Sequence, residues 1–461
     1  MAVQRLPIIG NMQTRKADVD VDLYYKNCYP EGVDAQNPFV IKRPGYSSHI
    51  AAPGTGVGRG VYQWRGYLYS VVHDTLYKDG VSIGTLNTTT GPVYFTETGG
   101  GSPKLVLQDK TDGWIVNTSD TVTEITDVDF PANLADGIAF MDQFVFLLDE
   151  NGNVWNSTVN DPSSWNATYF INAESKPDGG VYITEHLNYI IAFGDYSTDF
   201  FYNAGNASAS TLSAVGEASM SIGLAAAKSV CKVEDLIYFI GQDRNGERRL
   251  YKIKGLSHEP ISPKPIERIL NSESDVSSIY AYSLRISGHS FYCLNLPNKN
   301  LTLVYDAIDG VWHTWTSYDG SSETEFVAYD TTENAGVVYF IAQSDGAIYK
   351  FDEDVYQDNG NTIKMKGVTD IFDGGSTQNK FCTRLEVVGD RAASSGLLYI
   401  SYTDDDYQNY SPAIPVDMSG RPAITRLGRF QRRAFRYTWE ENLPLRLEGF
   451  DLNLNVGVYG A

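Results

Sequence analysis

The stretch that decides the fold is Leu236-Ile237-Tyr238-Phe239-Ile240-Gly241, followed by Asn245-Gly246 and then Leu250-Tyr251-Lys252-Ile253. Two short apolar and aromatic runs flank a polar turn. Asn-Gly accepts the positive φ angles of a tight hairpin, whose twist matches the strands on either side. The unit recurs along the chain. Gly66–Val71 precedes Thr75–Gly80, and Lys104–Leu107 leads through Asp112-Gly113 to Trp114–Val116. Gln143–Leu148 leads through Asn151-Gly152-Asn153 to Val154-Trp155, and Asn188–Phe193 leads to Thr198–Tyr202. Ser290–Leu294 precedes Leu301–Tyr305, and Val337–Ala342 leads through Asp345-Gly346 to Ile348–Phe351. The hairpins start near residues 67, 105, 144, 189, 237, 290 and 337. A spacing of about 45 residues is that of β-propeller blades. The reading is an all-β protein with a β-propeller of about six blades. One of the seven hairpins can belong elsewhere, and an irregular array of sandwiches is the alternative.

Composition agrees. The chain has 461 residues, with Tyr 31, Phe 20, Trp 7 and Gly 42 against Met 6. Aromatic and Gly-rich chains with few helix formers favour strands. Lys+Arg number 36 and Asp+Glu 57, a net charge of −21, which argues against a wholesale nucleic-acid binder. The charge is uneven: residues 1–66 and 421–461 are each roughly +3, and the stretch between them is about −27. No run approaches the ~18 apolar residues of a membrane span. The N-terminus lacks the apolar segment of a signal peptide. Cys28, Cys231, Cys293 and Cys382 form no CxxC pair and read as reduced thiols.

Composition also divides the chain. Residues 1–60 have little periodicity and many Pro and Gly, and read as an extended arm ordered by its partners. Residues 61–361 are the propeller. Residues 362–461, with longer strands such as Phe381–Val388 and Arg433–Trp439, read as a β-sandwich-like domain. Helical signal is sparse. Pro265–Asn271 places Ile266, Ile269 and Leu270 on one face, and Ala218–Lys228 reads as a short helix or a loop.

Each chemical pattern meets a structural alternative. Gly80-Val81-Ser82-Ile83-Gly84 fits GxSxG, but it opens on a hairpin turn rather than a strand-to-helix elbow. Gly54–Gly60 has Arg59 where a phosphate loop needs its third glycine. Asp149–Asn153 and Asp243–Glu247 begin like calcium loops yet lack the sixth-position Gly and twelfth-position Glu. Asp18, Asp20 and Asp22 alternate on one strand face. Tyr402–Tyr407 lacks the Gly and Trp of a sialidase turn. The six histidines show no ligand spacing. These observations give no catalytic residue, no metal site and no cofactor. The sharpest charge cluster is Arg421, Arg426, Arg429, Arg432, Arg433 and Arg436, with no acid between 421 and 436. Strand alternation would set Arg429 and Arg433 on one face, and Arg432 and Arg436 on the other. It reads either as a solvated edge that deters strand pairing or as a docking surface for an acidic neighbour or phosphates.

Several stretches together resemble the packaged-DNA stabilisation proteins, the tail nozzle family of short-tailed phages. They are Arg5–Gly10, Tyr24–Glu31, Lys42-Arg43-Pro44-Gly45, Arg59-Gly60-Val61, and Ala173-Glu174-Ser175-Lys176-Pro177-Asp178-Gly179. Further along come Ile190–Gly194, Phe200–Tyr202, Ile266–Leu270, Leu303–Asp306 and Arg426–Arg433. Glu174, Ser175, Pro177, Asp178 and Gly179 carry the strongest likeness. The resemblance implies a non-enzymatic virion protein, assembled in the host cytoplasm. It implies a homohexameric ring below the head-completion (adaptor) ring, extending the DNA channel and helping to retain packaged DNA. A tail needle or plug and fibres or spikes are implied partners, with double-stranded DNA passing through without specific binding. A glycan-binding or glycan-cleaving propeller and an intracellular scaffold propeller are the rival classes.

Overall fold

Alternating apolar runs closed by Asn-Gly and Asp-Gly turns leave the backbone little choice but hairpins. The computed structural model describes residues 2–10, 12–13, 22–33, 38–173 and 178–457, and is built almost wholly of strands. Its contacts define two compact units.

One unit gathers residues 48–285 and 327–350 and holds six mainly antiparallel sheets in a six-bladed β-propeller arrangement. The first blade is Gly58–Trp64, Tyr67–Val72, Thr75–Lys78 and Val81–Thr85. The second runs from Tyr94–Glu97 to Val122–Glu124, the third from Ala139–Met141 to Phe170–Asn172. The fourth runs from Gly180–His186 to Leu212–Ala214, and the fifth is built on Leu236–Gln242 and Arg248–Lys254. The sixth is Ala328–Asn334, Val337–Ala342 and Ile348–Asp352. Because successive side chains point to opposite faces, continuous apolar runs such as Leu105–Gln108 and Tyr189–Gly194 bury both faces of a blade, so neighbours pack face to face. Trp64, Val71, Leu105 and Trp114 fill the space between the first two blades, and Phe193, Phe200, Ile237 and Phe239 that between the fourth and fifth. Last and first blades meet through side chains: Asp330 accepts the Val61 amide at 2.9 Å, and the Thr332 hydroxyl accepts the Gln63 amide at 3.0 Å. The turn at Asp79-Gly80 has φ of 46° and 80° at its two residues, as an Asp-Gly hairpin requires. The one α-helix among the described residues, Lys264–Asn271, buries Ile266, Ile269 and Leu270, the face its spacing predicts. Ala218–Lys228 resolves mainly into a loop carrying the short strand Gly223–Leu224.

The other unit gathers residues 1–47, 286–326 and 351–461. The hairpin expected near residue 290 belongs here. His289–Leu296, Leu301–Asp306 and Trp312–Trp315 continue through Tyr24–Lys26 and Met365–Val368 to Ala434–Trp439, Leu397–Thr403 and Ile414–Asp417. A second sheet runs Cys28–Glu31, Phe39–Lys42, Arg446–Val456, Lys380–Gly389 and Ala423–Thr425. One core serves both sheets, with Tyr25, Met365, Tyr437 and Trp439 from one and Val40, Leu385, Leu447 and Phe450 from the other, so they form a sandwich. The N-terminal segment is extended and finds its partner in the same chain. Ala2–Pro7 pairs antiparallel with Arg446–Val456, Leu6 opposite Phe450. Contacts thus run across the limits at 60/61 and 361/362, because strands distant in sequence pair.

Arg43 anchors this unit. Its side chain is 0 % exposed and every N–H is used. Nε donates to Asn27 at 3.0 Å, and the terminal nitrogens donate to Asp358 at 2.8 and 2.5 Å and to the carbonyls of Pro44 and Thr316 at 3.1 and 2.9 Å. The rings of Trp315 and Phe326 lie 5.4 and 4.9 Å from it. Next to it, Lys42 is buried against the carbonyl of Glu441 at 2.6 Å. Burial first, and the Arg43 charge second, hold its ammonium down at about 7.

Asp358→Asn leaves the Arg43 charge buried without its carboxylate and should cost about 3–5 kcal/mol in chemical denaturation. Lys42 favours its neutral form when folded, so its cost is full below about pH 7 and vanishes above its ordinary 10.5. Wild-type stability, measured against Lys42→Met, should therefore rise as pH increases from 7 towards 10. A difference independent of pH would contradict the assignment.

Candidate functional site

The arginine cluster divides when folded. Arg429–Phe430 pairs with Lys380–Gly389 in one sheet, and Ala434–Trp439 lies in the other. The chain crosses between sheets at residues 431–433, so the expected alternation over 429–436 is not formed. The reason is Arg433. It is 1 % exposed and grips Asp404 through two bonds of 2.7 Å, with a third to the Leu427 carbonyl at 2.6 Å. Its guanidinium stacks 3.9 Å from the Tyr402 ring centre and 4.5 Å from that of Phe430. A charge that sequence places on a surface is here a core fastener, turning the chain from one sheet to the next. Arg432 pairs with Asp406, and Arg421 binds Glu386 at 2.8 and 3.1 Å. Arg426 and Arg429 are exposed and form no ion pair among the described residues.

Arg436 enters a different constellation. Pairing aligns Lys26, Lys366, Thr438 and Tyr399 in one row across the sheet, with Arg436 beside Ser401 in the next. Since side chains alternate, these share the face opposite the core. Of these, Lys366, Thr438, Tyr399, Arg436 and Ser401 line a groove of about 340 Å³ with Lys364, Glu323 and Glu440. Each cation lies over a tyrosine: Lys364 is 3.6 Å from the Tyr318 ring centre, Arg436 4.0 Å from Tyr410 and Lys366 5.4 Å from Tyr24. Lys26 is paired to Glu323 at 2.9 Å. Such a groove suits carboxylates or another anion, held by charge and flanked by aromatic edges. The row was hidden from sequence reasoning, because Lys364 and Lys366 lie about 70 residues from Arg436. The alternating Lys-x-Lys was the one available signal.

The remaining patterns resolve into scaffolding. Asp149 caps its hairpin, accepting the amides of Asn151 and Asn153 at 2.9 Å and the Trp155 indole at 3.0 Å. Asp243 accepts the amides of Asn245 and Glu247 in the same way. Asp405 accepts the amides of Gln408 and Asn409, which together with the Asn409 and Thr403 side chains hold its carboxyl down at about 2. Ser82 lies in the return strand Val81–Thr85. Arg59 is a second buried arginine, donating to the carbonyls of His73, Thr88 and Gly91 at 2.7–2.8 Å, with Asp109 at 3.8 Å. The Gly54–Gly60 stretch thus leads into a structural lock. Asp178 accepts the Tyr196 amide at 2.7 Å and the Ser197 hydroxyl at 2.9 Å, and Gly179 passes against the Glu150 carbonyl. Glu174, Ser175 and Pro177 lie outside the described residues, as do Asp18 and Asp20.

One cluster escaped the histidine reading. His289, Asp306 and Asp309 bring ligand atoms within 4.8 Å of one another. His289 Nδ1 is 2.6 Å from Asp306, which raises the imidazole against the lowering effect of burial. Asp306 also accepts the amides of Ile308 and Asp309 at 2.9 and 3.3 Å, so the trio secures a turn. All four cysteines are free thiols. No helix among the described residues is long and apolar enough to cross a membrane.

The fold is a β-propeller unit together with a sandwich unit, and the outer face of the sandwich carries the groove of Lys364, Lys366 and Arg436. The chain belongs to the family described as bacteriophage P22 Gp10, β-propeller, whose model matches residues 4–356. Membership places it among the structural proteins of phage tails. It is 29 % identical over 150 residues to the tail hub protein gp10 of Salmonella phage P22, covering 32 % of this chain and 31 % of that one. The chain thus matches about a third of the length of that relative. Among solved structures it is similar to a catalytically inactive virginiamycin B lyase from Staphylococcus aureus with quinupristin, at 10 % identity and TM-score 0.46, covering 67 % of this chain and 99 % of that one. It is also similar to the extracellular domain of a putative hybrid two-component system from B. thetaiotaomicron, at 10 % identity and TM-score 0.45, covering 78 % and 46 %.

Arg433→Gln should destabilise the chain by about 3 kcal/mol, through loss of a buried, stacked ion pair. Arg429→Gln should stay within about 0.5 kcal/mol of wild type. Thermal unfolding of the two variants side by side checks this.

Proposed function

We propose that the chain is the non-enzymatic subunit of a homohexameric tail nozzle. In this reading the ring sits below the head-completion (adaptor) ring, extends the DNA channel, helps retain the packaged genome and lets it leave at ejection. It is assembled in the host cytoplasm, and a needle or plug and fibres or spikes attach to it. The carrying observation is the family match over residues 4–356.

The physical character of the chain supports the role. Charge of −21 per subunit surrounds passing DNA with like charge, so the duplex meets few sticky sites. That repulsion is screened within about 10 Å at 0.1 M salt, which confines it to the channel wall. The exposed Arg426 and Arg429, and the groove of Lys364 and Arg436, supply the opposite sign and would receive acidic surfaces of neighbouring tail components. Arg433 is excluded from that role by its burial.

Mass measurement on the purified full chain and on particles tests the reading. Hexamers, or incorporation into virions, are expected; a monomer absent from particles would overturn it. Arg426→Glu combined with Arg429→Glu should abolish tail assembly while leaving the subunit's unfolding temperature within a few degrees of wild type. Normal tails from that variant would remove these arginines from the docking surface.

A further inference from the structure

The propeller unit encloses a cavity of about 360 Å³ that the tail role does not use. Its wall is aromatic to an unusual degree: Tyr62, Tyr94, Tyr182, Tyr280, Tyr282 and Tyr329 all line it. They come from different parts of the ring. Tyr62 lies on the first strand of the first blade, Tyr94 on that of the second, Tyr182 on Gly180–His186 of the fourth and Tyr329 on Ala328–Asn334 of the sixth. Inner strands of a propeller border its central channel, so the cavity belongs to the axis of the fold. Tyr94 and Tyr182 meet edge to face at 5.8 Å, and Tyr280 and Tyr329 at 4.9 Å.

The polar inventory narrows what can enter. Arg59 lines the cavity, but its guanidinium is committed to the carbonyls of His73, Thr88 and Gly91. Lys232 is paired with Glu185 at 3.6 Å. Two charges of opposite sign remain, Lys228 and Asp330. Lys228 lies 5.9 Å from the Tyr329 ring centre and has no ion pair within 4 Å among the described residues. Asp330 accepts one backbone amide on each oxygen, from Val61 at 2.9 Å and Thr331 at 2.8 Å. A carboxylate has about four lone-pair sites, so two stay open. The Tyr94 hydroxyl is held by Asp136 at 2.8 Å, whereas those of Tyr62, Tyr182 and Tyr329 bond no described residue.

From this geometry we infer that the axial cavity is a binding site for a neutral polyhydroxylated ligand, a mono- or disaccharide. An anion would be opposed by Asp330 and a cation by Lys228, while an uncharged ligand satisfies both. A pyranose offers apolar C–H faces to aromatic rings and, around its rim, hydroxyls that both donate and accept. That matches tyrosine faces surrounded by an ammonium, a carboxylate and free phenol groups. The volume falls at the small end of ligand cavities, about 300–1,000 Å³.

Saturation-transfer NMR on the full chain tests it, with glucose, galactose, mannose, N-acetylglucosamine, maltose and lactose as probes, and inorganic phosphate and free lysine as charged competitors. At least one sugar should bind, and binding should weaken tenfold or more in Lys228→Gln and measurably in Tyr182→Phe. Tyr182→Phe removes a hydroxyl that bonds no described residue, so its unfolding temperature should match wild type and it remains informative if Lys228→Gln misfolds. Absence of binding by every sugar, binding undiminished in folded variants, or displacement of the sugar by phosphate or lysine would overturn the assignment.

Discussion

The sandwich unit hangs on one buried cation. Arg43 has no contact with water, so each of its five N–H groups must find a protein acceptor or cost the unit dearly. The acceptors it finds are Asn27, Pro44, Thr316 and Asp358, drawn from three separate stretches of chain. A planar fork can satisfy them together only if those stretches hold their positions, and an ammonium could not replace it. The same solution appears at Arg59 in the propeller and at Arg433 near the C-terminus. All three rank among the largest fully buried side chains of the protein. In a fold whose strands are short and whose loops are many, buried guanidinium groups hold loop carbonyls that hairpin pairing leaves unmatched.

The local half of this architecture was legible in the sequence. Asp79-Gly80 and Asn245-Gly246 dictate hairpins by backbone stereochemistry alone, and the period between hairpins announces blades. Pro265–Asn271 was legible for the same reason, since a helical face repeats every three to four residues. Long-range pairing was not. Nothing near Phe291 shows that its hairpin joins the sandwich sheet, because the strands that continue the sheet beyond Trp312–Trp315, Tyr24–Lys26 and Met365–Val368, lie far away in sequence. The arginine cluster shows the limit most clearly. Arg432 and Arg433 are adjacent, yet one is exposed and the other buried. The difference is made by Asp404, Tyr402 and Phe430, which only the fold brings around Arg433. The groove of Lys364 and Arg436 was equally hidden, as it is a product of register.

Charge is also reorganised by folding. Many acids of the hairpin tips cap the turn they sit in, as Asp149, Asp243, Asp319 and Asp405 do. Backbone amides favour the ionised state at Asp243 and Asp405, and the amides of Ser322 and Ser321 hold Asp319 well below the usual carboxylate range. The negative field is thus fixed into turn geometry, and it persists wherever the hairpins do.

The pairing of Ala2–Pro7 with Arg446–Val456 bears on how such a protein comes to exist. The first of these strands leaves the ribosome long before the second is made. At about 5–20 residues per second, its partner follows only after roughly 20–90 seconds. Blades formed from consecutive hairpins can close during that interval, whereas the sandwich must wait, its apolar Leu6 and Ile8 unpaired. Synthesis therefore imposes an order, propeller first and sandwich last. The sandwich core is complete only once the chain has been made through residue 456, and a chain cut short of it would leave Ala2–Pro7 without its partner strand.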